Sequence, residues 1–192
     1  LMISEPDEMI ADINWIFGHT IRKNTTITIH REAYRDKAKL GKFADKEYDL
    51  LKPTGRRGLD ACLRAENERL GYRVYETLLE IKSAGYKAGL ALEPNSSLDN
   101  ITDEMLSEID MLLLMSVHSG KGGQSYINEV TDKIRQARRD YGGLMIQVDG
   151  GINEETLPEA VGAGADNVVI GSYITKADSL AERIEHVQGL IN

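Results

Sequence analysis

Short apolar runs alternate with longer amphipathic segments over the second half of the chain, and this alternation limits the fold more than any other feature. The apolar runs predict strands at 88–92, 111–117, 144–148 and 167–170. The segments around them predict helices at 101–109, 126–141, 154–163 and 179–191. Strands and helices that alternate through short loops form a parallel sheet with helical crossovers. Because these runs show little apolar–polar alternation, we expect strands that are buried on both faces.

The first half of the chain carries the same kind of elements with a long interruption. Residues 1–3 and 25–30 predict strands, and a helix is expected to start near Pro6. The segment from about 34 to 75 holds eleven Lys or Arg against seven Asp or Glu, although the net charge of the chain is −8. We expect an insertion here, helical at 59–70, followed by a helix at 74–84. Three roles stand open for it: a lid over an anionic substrate, a partner-binding surface or a solvated helical excursion.

Six strand–helix units are visible once this insertion is set aside. Their spacing of roughly 25 residues is typical of a β/α barrel. Two architectures fit: a (β/α)8 TIM barrel of which the chain shows six of eight units, or an open doubly wound sheet. We favour the barrel and expect two further units before Leu1, because the chain opens inside a predicted strand. On this view residues 1–192 form a single barrel domain.

Glycine-bearing loops follow three consecutive predicted strands. They run over 118–124, from Asp149 to Gly151, and from Gly171 to Ser172. The carboxyl ends of parallel strands share one rim of a barrel, where backbone N–H groups and helix N-termini commonly bind phosphate. Asp149 ends its strand at this rim, a place where α/β proteins carry their chemistry. The alternative for the second loop is a tight strand-to-helix turn with an acidic cap.

These loops resemble those of the ribulose-phosphate 3-epimerase family. The matching segments cover nearly all of the chain outside the insertion and keep the family's order: Leu1-Met2, 29–33, 88–94, 115–117 with Gly122-Gly123-Gln124, 148–152, and Gly164-Ala165-Asp166 leading to Gly171-Ser172. The combination of the Gly-Gly-Gln and Asp-Gly-Gly-Ile loops is specific to that family among phosphate-binding barrels.

The resemblance implies a metal-dependent 3-epimerase that converts D-ribulose 5-phosphate to D-xylulose 5-phosphate through an enediolate. Two aspartates exchange protons with the carbon, and a divalent metal ion (Zn, Fe, Mn or Co) stabilises the developing charge. Asp149 resembles one catalytic acid/base and a metal ligand. The other matched positions are expected to contact the phosphate and sugar or to pack over the reacting carbons: Gly120, Lys121, Gly122, Gly123, Gly150, Gly151, Gly171, Ser172, Met2 and Met115.

Departures from the family pattern leave other functions open. The second aspartate and both metal histidines of the family would precede Leu1. Residues 118–121 replace the usual phosphate loop, and Glu93 stands where asparagine is common. Lys121 either contacts phosphate or lies solvated on a lid. The alternatives are a non-catalytic sugar-phosphate-binding or partner-binding relative, an epimerase of a ketohexose 6-phosphate such as allulose 6-phosphate, and a barrel lyase or synthase.

Composition limits the setting of the protein. A hydrophobic content of 41% over 192 residues suits one soluble domain, and the charge of −8 argues against a general nucleic-acid binder. Cys62 is the single cysteine, which excludes an internal disulfide and fits a reducing compartment. No apolar run approaches the roughly 20 residues that span a bilayer. We therefore expect a cytoplasmic protein that binds a small sugar phosphate and neither nucleic acid nor membrane; the resemblance adds a homo-oligomer.

Overall fold

The computed structural model describes residues 2–3, 25–34, 56–120 and 122–191, with side chains over 25–32, 68–120 and 122–191. The helix expected near Pro6, the centre of the predicted insertion, Lys121 and the side chains of Met2 and Cys62 lie outside these ranges. The described strands are β1 Met2–Ile3, β2 Thr26–His30, β3 Lys87–Leu92, β4 Met111–Met115, β5 Met145–Asp149 and β6 Asn167–Val169. The described helices are α1 Arg56–Ser83, α2 Asp103–Glu108, α3 Glu129–Asp140, α4 Thr156–Ala163, α5 Ser172–Thr175 and α6 Leu180–Gly189.

The chain divides into two compact units. The first comprises Leu1–Ala88 with Asp99–Glu108, and the second comprises Gly89–Leu98 with Ile109–Asn192. Each unit is therefore built from two separate stretches of sequence.

The first unit packs one long helix beside a parallel strand pair. β1 and β2 are parallel, with Ile3 opposite Ile29. The 28-residue helix α1 is continuous through the positions where two helices were expected. It packs against α2. The two helices approach closely at Gly71, where an added Cβ would lie only 3.3 Å from Cε of Met105. The buried face of α1 follows from apolar residues spaced three or four apart: Leu70, Val74, Leu78 and Ile81.

The second unit contains four parallel strand segments. β4 pairs with β3 on one side and with β5 on the other, and β5 pairs with β6. All five residues of β4 are buried. These pairings confirm the parallel arrangement that the sequence predicts for the strands of this unit.

The prediction that these strands are buried on both faces is wrong for β5 and β6. Ile146 and Val148 are buried, whereas Met145 on the opposite face is 46% exposed. Val169 of β6 is 38% exposed. Successive residues of a strand point to opposite faces, and among the described residues only the helix-covered face is fully packed along β5. Polar Gln147 lies on the other face, where its amide nitrogen donates to Oδ1 of Asn167 over 2.9 Å.

Helix α3 joins this sheet to α4. Its apolar residues Val130, Ile134 and Ala137 are buried, and acidic residues begin the helix while basic ones end it, as the helix dipole favours. Arg138 near its end donates to the carbonyl oxygens of Gly164 and Leu144. The same guanidinium pairs with the Asp166 carboxylate. One side chain thus connects the ends of α3 and α4 to the start of β5.

Most of the described helices and strands begin and end within a few residues of the predicted bounds. Three short helices were not predicted. These are 3₁₀ turns at Arg31–Tyr34 and Leu98–Asn100 and the single-turn helix α5. In the described segments, no helix combines the length and apolar character needed to cross a membrane.

Candidate functional site

Asp149 is the last residue of β5, and its side chain is half-buried. Its backbone oxygen accepts a hydrogen bond of 2.8 Å from the N–H of Ser116. In the parallel register Asp149 lies opposite Met115 and Val169. Paired residues of parallel strands share a face, so the carboxyl group lies on the same face as Met115, at the carboxyl end of the strands.

Gly150 and Gly151 are held against the preceding loop so closely that neither position has room for a side chain. A Cβ on Gly150 would lie 2.4 Å from Cγ2 of Val117, and one on Gly151 would lie 2.4 Å from the backbone nitrogen of Tyr126. Both glycines have positive φ, 121° and 65°. Their absence of side chains lets two loops approach each other directly beside Asp149.

Hydrogen bonds close the first glycine loop on itself and fasten it to the second. The N–H of Ile127 donates to the oxygen of Ser116 over 2.9 Å, which closes the base of the loop. The hydroxyl of Ser116 donates to the oxygen of Gly150 over 2.6 Å. Within the loop, the amide nitrogen of Gln124 donates to the oxygen of His118 over 2.6 Å. The Gly-Gly-Gln and Asp-Gly-Gly segments therefore form one connected structure.

Glu93, just beyond β3, holds the tip of the same loop. Its carboxylate accepts hydrogen bonds from both the N–H and the hydroxyl of Ser119. Nδ1 of His118 lies 3.8 Å from the same carboxylate, an ion pair when the imidazole is protonated. Lys133 of α3 donates to the backbone oxygens of Glu93 and Pro94, so the backbone that carries the carboxylate is fixed as well. The departures at positions 93 and 118–119 are therefore in contact with one another.

The third glycine loop meets the first through a lysine. Gly171 precedes α5, and the N–H of Lys176 donates to the oxygen of Ser172 over 3.1 Å. The ammonium nitrogen of Lys176 lies 3.9 Å from the place that a Cβ on Gly123 would occupy. Gly123 itself has a φ of 75°. Lys176, which the sequence motifs did not single out, thus extends from the third glycine loop to the first.

The N-terminus of α4 is occupied by the protein's own side chains. Oδ1 of Asn153 accepts from the N–H groups of Glu155 and Thr156, at 2.9 and 3.0 Å. The hydroxyl of Thr156 donates to the oxygen of Gly151 over 3.0 Å. The sequence correctly indicated a helix start here. The N–H groups of Glu155 and Thr156 are thus already engaged by a side chain of the protein itself.

Met115 is 4% exposed and belongs to a buried cluster on the face of Asp149. Its other members are Ala91, Met111, Leu113 and Val117. The methionine therefore packs as core, and its predicted contact with the reacting carbons stays a prediction. Nearby, partial burial raises the pKa of the Tyr126 phenol above its usual value. Its oxygen lies 3.0 Å from the hydroxyl of Thr131.

Metal-binding side chains are sparse in the part of the chain with described side chains. Those ranges hold no group of three or more His, Cys, Asp or Glu residues that could hold a metal ion. The role of Asp149 as a metal ligand stays a prediction, since the described residues do not complete a centre around it.

Comparisons with known proteins agree with the loop order. Residues 62–175 match the model of the ribulose-phosphate 3 epimerase family. The chain belongs to this family. The matched segment begins within α1 and extends through all three glycine loops to the end of α5. Membership also confirms the predicted (β/α)8 barrel fold class, since the described strands are parallel and alternate with helices.

Curated relatives match over a little more than half of the chain. The chain is 36% identical over 121 residues to ribulose-phosphate 3-epimerase of Bacillus subtilis (strain 168), covering 60% of this chain and 55% of that protein. It is 41% identical over 109 residues to the enzyme of the same name from Mycobacterium bovis, covering 55% of this chain and 47% of that protein. The chain thus spans about half the length of these relatives.

A solved structure is similar over a greater length. The crystal structure of a 3-hexulose-6-phosphate synthase superposes with a TM-score of 0.58 at 12% identity, covering 98% of this chain and 71% of that chain. At that identity the likeness concerns the fold alone.

Proposed function

We propose that the protein is a 3-epimerase of a ketose phosphate, of the D-ribulose 5-phosphate to D-xylulose 5-phosphate type, with Asp149 as a catalytic acid/base. One observation carries the proposal: Asp149 ends a strand beside two glycines that are packed too closely to bear side chains, within a chain of the epimerase family. A carboxylate at the carboxyl end of a strand, next to a glycine loop, is the arrangement that proton transfer on a phosphorylated sugar needs.

The proposed reaction inverts one carbon next to the ketone. A carboxylate removes the proton from C3, the electron pair moves toward the ketone to give an enediolate, and a proton returned to the opposite face gives the epimer. Asp149 is half-buried beside the cluster around Met115, and an apolar wall strengthens electrostatic interactions at the carboxyl group. The returned proton is proposed to come from a second carboxylic acid, as the resemblance to the family implies.

The glycine loops are proposed to bind the phosphate and sugar. The loops hold four glycines with positive φ, namely Gly120, Gly123, Gly150 and Gly151, and glycine loops that follow parallel strands commonly present backbone N–H groups to phosphate. The remaining proposed contacts are Lys121, Gly122, Gly171, Ser172, Met2 and Met115.

Metal binding is proposed on family membership with Asp149 as one ligand. The described residues do not by themselves assemble a metal centre. When bound, a divalent metal would stabilise the negative charge of an enediolate. Cytoplasmic location and a homo-oligomeric state complete the proposal.

Solvent-deuterium exchange at C3 tests the role of Asp149. The full-length protein without substitutions, supplied with divalent metal and D-ribulose 5-phosphate in D₂O, should introduce deuterium at C3 of the substrate and form the epimer. Asp149→Asn should abolish both, because the amide cannot accept the proton. Asp140→Asn, at the exposed end of α3, is the matched control and should behave like the parent.

Retained exchange in Asp149→Asn would contradict the assignment of this residue, and absence of exchange in the parent chain would contradict the activity. A parallel assay with a ketohexose 6-phosphate decides the sugar length, since Glu93 replaces the family's usual asparagine. Preference for the longer sugar would replace the ketopentose as the proposed substrate.

A further inference from the structure

We infer that Lys176 is an anion-binding residue of the site formed by the glycine loops and that it contacts the phosphate group of the substrate. This inference rests on the proposed function and names a residue in it. The ammonium nitrogen lies 3.9 Å from the Cβ position of Gly123, so it sits over the Gly-Gly segment of the first loop rather than pointing away from the unit.

The backbone of Lys176 is fixed by the third loop. Its N–H donates to the oxygen of Ser172, and the N–H of the preceding Thr175 donates to the oxygen of Gly171 over 3.0 Å. Gly171 and Ser172 are themselves proposed phosphate contacts. Lys176 therefore belongs to one glycine loop by its main chain and reaches a second one by its side chain.

Several charged side chains of the second unit have partners other than Lys176. Glu154 accepts a hydrogen bond from the Tyr173 hydroxyl over 3.2 Å and lies 3.2 Å from Nε2 of His186. The guanidinium of Arg183 lies 4.2 Å from the ring centre of Tyr173. Glu93 is engaged by Ser119 and His118. Within the ranges that the structure describes, no carboxylate forms an ion pair with Lys176.

A phosphate monoester carries nearly two negative charges at neutral pH, while this rim of an acidic protein carries Asp149 and Glu93. Glycine N–H groups can cradle such an anion, but they contribute only dipoles. An ammonium held over them supplies a full compensating charge, and a lysine binds phosphate as a point charge on a flexible stem. The position of Lys176 matches this requirement.

The inference is tested by measuring the binding of inorganic phosphate to the full chain by equilibrium dialysis at low salt. Lys176→Gln should weaken binding about threefold to fivefold, because the positive charge beside the phosphate is lost at a solvent-exposed position. Lys176→Arg should restore most of the affinity. Lys87→Gln removes an exposed lysine at the start of β3 and controls for net charge, so it should bind like the parent.

Equal affinity of Lys176→Gln and the parent would overturn the inference, as would equal weakening in Lys87→Gln or no phosphate binding by the parent chain. Circular dichroism and thermal melting of each variant exclude misfolding as the cause of a loss. If phosphate binds through Lys176 while C3 shows no deuterium exchange, the inference stands and the proposed epimerase activity fails.

Discussion

At Gly151, the neighbouring backbone rather than the dihedral angle decides which residue is tolerated. Its φ of 65° lies in the left-handed region that other residues enter at moderate cost. The decisive contact is the backbone of Tyr126, whose N and Cα would lie 2.4 and 2.7 Å from a Cβ. A main-chain segment cannot turn aside as a side chain can. The Asp-Gly-Gly sequence signals this turn, but the identity of the obstructing residue emerges only from the fold.

Gly151→Ala should therefore lower the free energy of unfolding by about 2 to 4 kcal/mol, through overpacking and backbone strain together. Gly143→Ala is the control, since a Cβ there meets no atom within 4 Å and φ is not positive. Urea denaturation of both variants measures the difference. A stability change in Gly151→Ala no larger than that in Gly143→Ala would show that the two loops separate at little cost.

Site residues that could be predicted from the sequence have partners nearby in the sequence, whereas those that were missed have partners far along the chain. Asp149 and its glycines were predictable because a strand, an acid and a turn are adjacent in sequence. The hydrogen bonds from Ser119 to Glu93 join residues 26 positions apart. The position of the Lys176 ammonium group near Gly123 likewise relates two loops that are distant in sequence. No local pattern carries such pairings, because they depend on which strands become neighbours.

At the scale of elements, the side chain of Arg138 holds the ends of several elements together through hydrogen bonds. It satisfies the oxygen of Gly164, the left-handed residue that ends α4, together with that of Leu144. A Cβ on Gly164 would lie 2.8 Å from Cγ of Arg138, so the close approach depends on the glycine as well. The end of α3, the end of α4 and the start of β5 are thereby held together by one side chain.

Arg138→Ala should lower the free energy of unfolding by about 2 to 4 kcal/mol, since it removes several hydrogen bonds and leaves partly buried carbonyl oxygens without that donor. Arg139→Ala, which alters an exposed neighbour on the same helix, should stay within about 0.5 kcal/mol of the parent. If Arg138→Ala and Arg139→Ala changed the stability equally in thermal or urea unfolding, other contacts would hold the ends of α3 and α4 and the start of β5.

Over the whole molecule, burial differs sharply between strands of the same sheet. β4 is buried throughout and has strand partners on both sides, whereas Asn167 and Val169 of β6 are exposed. The sequence predicted the position of both strands within a few residues. It could not predict this difference, because Leu113 and Val169 are both apolar and only the surrounding elements decide which of them is covered.

Backbone amides of β4 should accordingly exchange with solvent at least about a hundredfold more slowly than those of β6. Hydrogen exchange followed by mass spectrometry on peptides that span 111–115 and 167–169 measures the ratio. Comparable rates for the two peptides would mean that the strands open together, as parts of one cooperative unit.

The composition of the first unit has a consequence for synthesis on the ribosome. Helix α1 ends at Ser83, but α2, which covers part of its apolar face, begins only at Asp103. At translation rates of about 5 to 20 residues per second, the nascent chain carries that face without this partner for roughly one to four seconds. During this interval the apolar face around Leu78 lacks the cover that α2 provides. The ten-residue stretch Asp99–Glu108 completes the first unit only after synthesis of the second unit has begun.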